Sequence, residues 1–136
     1  MSVQTSARAS EANLFSKETA LAIHAETVVR FGGLDGIRDE GLLESALAQP
    51  FQSFAGQDLY PDVVEKACRY AYGVINDHPF ADGNKRTGTA LMGVCLRMSG
   101  LDFRPDHADF LNTMLAVADG SLGYEDLVGW VRGVLG

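Results

Sequence analysis

Apolar residues recur along most of this chain at intervals of three and four, the spacing that lines one face of an α-helix, and no run alternates apolar and polar residues for long enough to read as a strand. Six helices follow. Ser16 ahead of Lys17, Glu18 and Thr19 opens the first, Leu21, His24 and Val28 share its inner face, and Gly32-Gly33 stops it. Asp39 caps the second, whose face is Leu42, Leu43, Ala46 and Leu47 before Pro50. From Phe51 to Tyr60 the helical spacing disappears, as in a connection that protrudes. Pro61 suits the first turn of a third helix, and Val63, Val64, Ala67, Tyr70, Ala71, Val74 and Ile75 make a face broad enough for a central, buried place. A loop from Asp77 to Gly83 leads to a fourth helix, Asn84 to Ser99, with Ala90, Leu91, Val94, Cys95 and Met98 inward and Gly100 as its stop. It pairs with the third. Asp106 caps a fifth helix carrying Phe110, Leu111, Met114, Leu115 and Ala118, and a sixth carries Leu127, Val128, Val131 and Leu135. The fold class is all-α, a compact bundle of about six helices. Residues 1–13 are expected to fray, and 14–136 to form one domain.

Composition narrows the classes. Of 136 residues 46% are apolar and 21% charged, enough to build a core and too apolar for a disordered chain. Eleven Lys+Arg against 18 Asp+Glu give a net charge of −7, which disfavours direct nucleic-acid binding. The longest stretch without a charge, Ser45 to Gln57, contains Pro50 and falls short of the roughly 20 apolar residues of a membrane span. Met1 to Ala12 lacks the apolar block of a secretory signal, so a cytoplasmic location is expected. Cys68 and Cys95 lie on apolar stretches and read as buried thiols.

One segment reads as chemistry: His78-Pro79-Phe80-Ala81-Asp82-Gly83-Asn84-Lys85-Arg86-Thr87-Gly88. Lys85 and Arg86 stand in the first turn of the fourth helix, where the positive end of the helix dipole disfavours cations, so an anion should compensate them. Phosphate fits, met by free backbone N–H groups, the two cations and the Asn84 amide, with Gly83 letting the backbone approach. Asp82 would repel phosphate alone, but Mg²⁺ bridges a carboxylate and phosphate oxygens. His78 can then take a proton from an attacking hydroxyl. Phe80 and Pro79 read as the loop's apolar anchor. Elsewhere, Tyr70 and Tyr72 read as core or groove wall, Arg38 and Asp39 as a structural pair or cap, His24 and His107 as structural or solvent-facing, and Trp130 as core.

The order His78, Phe80, Asp82, Gly83, Asn84 resembles the signature His-x-Phe-x-Asp/Glu-Gly/Ala-Asn of the Fic/Doc (fido) family. Phe31 to Leu34, Gly36 to Asp39 and Leu42 to Leu47 resemble its death-on-curing branch, and the resemblance runs roughly from Leu14 to Leu135. It implies an all-α fold and one of two chemistries. Most Fic proteins transfer AMP from ATP and continue Asn-Gly-Arg-x-x-Arg; here Lys85 replaces the glycine and Thr89 the last arginine. The Asn-Lys-Arg-Thr form is similar to the Doc branch, in which ATP lies reversed with its γ-phosphate toward the acceptor. The resemblance thus implies a toxin that phosphorylates a Ser or Thr hydroxyl of a protein such as elongation factor Tu. It makes His78 the general base, Asp82 the Mg²⁺ ligand, and Gly83, Asn84, Lys85 and Arg86 the phosphate contacts, with Phe80 anchoring the loop. Phe51 to Tyr60 matches the position of the flap that aligns the target, or is a bland connection. A separate antitoxin chain covering the groove is the implied partner, since no Ser/Thr-x-x-x-Glu-Gly/Asn inhibitory segment is found. The alternatives are a nucleotidyl transferase with the same base and a silent nucleotide- or partner-binding scaffold.

Overall fold

Side-chain caps set four of the six helix starts in the computed structural model, which describes residues 16–136. The fraying expected of residues 1–13 lies outside the described residues. Six helices are present among them: α1 Lys17–Phe31, α2 Glu40–Ala48, α3 Val63–Asp77, α4 Asn84–Met98, α5 His107–Asp119 and α6 Tyr124–Leu135. Ser16, Asp39 and Asp106 each accept from a backbone N–H three residues on, at the starts of α1, α2 and α5 as the sequence predicts. At α3 the cap is Asp62, with Pro61 one residue before it rather than inside the first turn. Asp62 accepts from Glu65 N–H at 2.8 Å while Glu65 accepts from Asp62 N–H, a reciprocal pair that a proline in that place could not complete. Asp62 also meets Arg132 of α6 at 2.9 Å. Asp62→Ala is expected to lower unfolding free energy by about 1 kcal/mol, read from denaturant melts.

The central helix is α3, with Ala67, Cys68, Tyr70, Ala71, Gly73, Val74 and Ile75 buried. Its closest partner is α4. A Cβ at Gly88 would lie 2.8 Å from Ile75 Cγ1 and 3.1 Å from the Ala71 carbonyl, so only a glycine lets the two backbones approach this far. Leu43, Ala46, Leu127, Val131, Met114 and Val117 bring α2, α6 and α5 onto the same core. Both thiols are inside it, as expected, and burial pushes the Cys68 thiol up from its ordinary range. The native protein should therefore resist a thiol reagent that titrates both cysteines after unfolding, and labelling at native rates equal to those in denaturant would contradict this burial.

Two expected faces are turned differently. Met98 is 65% exposed, because after α4 the chain folds back, Leu101 N–H donating to Leu96 O, and Phe103 takes the interior place. On α5 the buried stripe is Met114 and Val117 with Phe110 half-buried, while Leu111, Leu115 and Ala118 face outward. Trp130 is half-buried rather than core, stacking on Phe110 at 5.6 Å and donating to Asp109 at 3.0 Å. The connection between α2 and α3 is a short 3₁₀ turn, Gln49–Phe51, followed by a hairpin of β1 Ser53–Phe54 and β2 Gln57–Asp58. Ser53 pairs with Asp58 and Phe54 with Gln57 across a left-handed Ala55-Gly56 tip, and all of it is exposed. Buried Lys66 holds its base, donating to the Tyr60 carbonyl and lying 5.6 Å from the Phe51 ring. Among the described residues, no helix is long and apolar enough to cross a membrane.

Candidate functional site

The chemistry-bearing segment spans the junction of α3 and α4, and each of its residues is held by a different device. α3 ends at His78, whose backbone is left-handed (φ 52°, ψ 56°), a conformation uncommon outside glycine, though asparagine, aspartate and histidine adopt it more often than other residues. Two charge-assisted bonds fix it there: Arg38 donates through Nε to the His78 carbonyl at 2.6 Å and through Nη2 to the Asp77 carbonyl at 2.9 Å. Arg38 is structural, as expected, but its partners are these carbonyls at the negative end of α3 rather than Asp39. The imidazole itself is exposed.

From Pro79 to Ala81 the loop is clamped by the turn between α1 and α2. The Pro79 carbonyl accepts from Arg38 N–H at 2.7 Å and Asp39 N–H at 3.0 Å, and Ala81 N–H donates to Gly36 O at 3.0 Å. Phe80, bridged to Ile37, is fully buried and anchors the loop. Asn84 closes it: Phe80 N–H donates to Asn84 Oδ1 at 3.0 Å and Asn84 Nδ2 to Phe80 O at 3.1 Å. The amide expected to face a phosphate is therefore buried and turned to the loop's own backbone. Asn84 keeps a second Nδ2 hydrogen and its backbone N–H, the latter in the first turn of α4, which has no side-chain cap.

Gly83 precedes that turn with φ 75°, and a Cβ there would meet only ordinary contacts with Thr27 and His24. Its requirement is the left-handed backbone, in addition to any approach by a ligand. The Asp82 carboxylate is exposed and stands between two backbone donors, Gly83 N–H at 2.9 Å and Leu34 N–H at 3.2 Å. Gly33 makes room for it, since a Cβ at that position would lie 2.7 Å from Asp82 Oδ2.

The two cations separate. Arg86 turns to the end of α1, its guanidinium 4.8 Å from the Phe31 ring and Nη1 3.4 Å from the Phe31 carbonyl. Part of the compensation expected from a bound anion thus comes from the negative end of a neighbouring helix. Lys85 is half-buried and forms no ion pair with another described residue, so its ammonium is available to an anion at this turn. Asp82, Lys85 and the open N–H groups of α4 give a carboxylate, an ammonium and an anion-attracting helix start on one segment, with an exposed imidazole four residues before Asp82. No group of three or more His, Cys, Asp or Glu side chains among the described residues could hold a metal ion alone. The exposed carboxylate fits Mg²⁺ only as one ligand beside substrate oxygens.

Sequence reasoning assigned His24 a structural or solvent-facing role and missed its place under this loop. It is buried, stacks on Phe80 with ring centroids 3.9 Å apart and planes 5° from parallel, and puts Nε2 2.8 Å from the Asp82 carbonyl. Its place on the inner face of α1 was the available signal. Gly33 and Leu34 read from the sequence as a helix stop, a turn and part of the family resemblance, without a link to Asp82. Tyr70 is buried; Tyr72 joins Tyr60 and Tyr124 in a ring cluster around Arg69, and His107 is exposed at the start of α5.

The chain is similar in sequence to proteins of one family. The sequence profile of the Fic/DOC family matches residues 14–96. The chain is 36% identical over 95 residues to the protein named Toxin Doc of Mycolicibacterium smegmatis, an alignment covering 67% of this chain and 73% of that one. It is 26% identical over 121 residues to the protein named Protein kinase doc of Escherichia phage P1, covering 89% of this chain and 94% of the relative.

Proposed function

Because the chain belongs to the Fic/DOC family, we propose that it is the toxin of a toxin–antitoxin pair and acts by moving the γ-phosphate of Mg-ATP to a Ser or Thr hydroxyl of a protein, such as a translation elongation factor. The names of the two relatives described above support this, one being Toxin Doc and the other Protein kinase doc. The observation that carries it is the pairing of an exposed imidazole at the end of α3 with an uncapped α4 whose Lys85 has no ion-pair partner among the described residues.

In this reading the His78 imidazole accepts the proton of the acceptor hydroxyl as its oxygen forms a bond to the γ-phosphorus. The bond from that phosphorus to the β–γ bridging oxygen breaks, and ADP leaves with the electron pair. Lys85 and the N–H groups of the first turn of α4 hold the phosphate oxygens and offset the charge they carry through the transition state. Asp82, fixed by Gly83 and Leu34 N–H, would hold Mg²⁺, which when bound neutralises phosphate charge and orients the oxygens. Asn84 and Phe80 keep the loop closed, and Arg86 ties α4 to α1. The exposed hairpin at Ser53–Asp58 is suited to aligning an extended target segment, and a separate antitoxin chain covers the groove.

An intact-mass measurement on a candidate target incubated with the protein and Mg-ATP tests this. A gain of one phosphate supports it; a gain of a whole nucleotide replaces it with nucleotidyl transfer, and no gain with any target removes it. Arg38→Met, which keeps length but removes both bonds to the α3 carbonyls, should lower the transfer rate about tenfold with little change in Mg-ATP affinity, because it releases His78 and leaves the α4 turn in place. Equal losses in rate and affinity would argue against that division.

A further inference from the structure

His24 does more beneath the loop than fill space. The Asp82 carbonyl can only accept, so the 2.8 Å contact requires the proton on Nε2 of His24. The peptide joining Asp82 to Gly83 is planar and trans, which points its N–H away from its carbonyl. Drawing the carbonyl down onto the imidazole therefore aims the Gly83 N–H at Asp82 Oδ1, which it meets at 2.9 Å. One rigid peptide links the buried ring to the exposed carboxylate. The ring is itself held by its stack on Phe80; the His24 backbone carbonyl accepts from Thr27 Oγ1 at 2.7 Å, and Thr27 lies 3.3 Å from buried Thr87 in the first turn of α4. Asp35 Oδ1 lies 3.7 Å from Nδ1, on the ring's other side.

We propose that His24 is a positioning residue: through an Nε2–H bond to the Asp82 carbonyl, braced by its stack on Phe80, it sets where the Asp82 carboxylate and the start of α4 face a phosphate ligand. The part that concerns nucleotide rests on the phosphoryl-transfer reading above; the hydrogen-bond part does not.

Side chains that keep one half of the arrangement separate positioning from packing. His24→Phe keeps a ring for the stack and loses the donor. His24→Gln loses the ring and brings an amide nitrogen near the place of Nε2, whereas His24→Asn brings it near Nδ1. Positioning predicts that the Phe variant melts close to the parent yet exchanges its Gly83 amide faster and binds Mg-ATP about tenfold more weakly, the worth of one such bond. It also predicts that Gln restores most of both losses and Asn does not. A Phe variant equal to the parent in exchange and binding, or a Gln variant no better than Asn, overturns the proposal. If the Phe variant does not fold, the Gln and Asn pair decides in its place. Nitrogen-15 spectra of the unmodified protein give an independent check, because a neutral His24 protonated on Nδ1 alone also overturns it. Should the parent protein not bind Mg-ATP, the transfer reading fails, while the tautomer and Gly83 exchange, which involve no nucleotide, still judge His24.

Discussion

His78→Asn is expected to lower the transfer rate by about a hundredfold to ten-thousandfold, the range a positioned general base supplies, while the melting profile stays near the parent's. Asparagine is the informative replacement because it tolerates the left-handed backbone that residue 78 adopts, so loss of activity cannot be ascribed to a refolded loop. The native contacts at this position are also backbone contacts: the N–H donates to Val74 O at 3.2 Å and the carbonyl accepts from Arg38. The exposed ring takes part in neither. Single-turnover transfer from labelled ATP, run beside a thermal melt, measures both quantities. An unchanged rate would remove His78 from the chemistry.

Gly33→Ala should be the most damaging small change among the turns around the site, lowering stability by about 2 kcal/mol and weakening Mg-ATP binding together. Two effects add. The backbone there has φ 108°, outside what an alanine adopts without strain, and the new Cβ would overlap Asp82 Oδ2 at 2.7 Å. Relief would come from moving the carboxylate off Leu34 N–H, which displaces the proposed Mg²⁺ ligand. Gly36→Ala provides the contrast, because its φ is 110° but a Cβ there meets nothing within 4 Å. It should share the part of the stability loss that comes from backbone strain and spare the binding. Equal binding losses in both variants would mean that backbone strain alone, rather than the clash with Asp82, is responsible.

Local rules made much of the fold readable. Ser16, Asp39 and Asp106 cap helices because an oxygen one bond from the backbone can reach an N–H three residues away, whatever the rest of the chain does. Periodicity likewise identified α3 as central. It could not say which apolar residues of α5 find a partner: Leu111 and Leu115 have the spacing of a buried face, yet the neighbours of α5 meet Met114 and Val117. The same boundary runs through the site. The motif from His78 to Arg86 is contiguous and was found as a string of residue types. What holds it comes from elsewhere: His24 is 58 residues from the carbonyl it meets, Arg38 is 40 from His78, and Phe31 is 55 from Arg86. The Asn84 amide could serve a phosphate or the Phe80 backbone equally well by chemistry, and only the closed loop shows that its oxygen and one N–H go to Phe80.

The backbone at residue 78 has one more consequence. A histidine held left-handed is less stable there than a glycine would be, by about 1 kcal/mol, so a thermostability screen run blind to catalysis should drift toward glycine at 78. Improvement in melting temperature at that codon would then be a warning sign, and libraries meant to harden this scaffold need residue 78 frozen from the start.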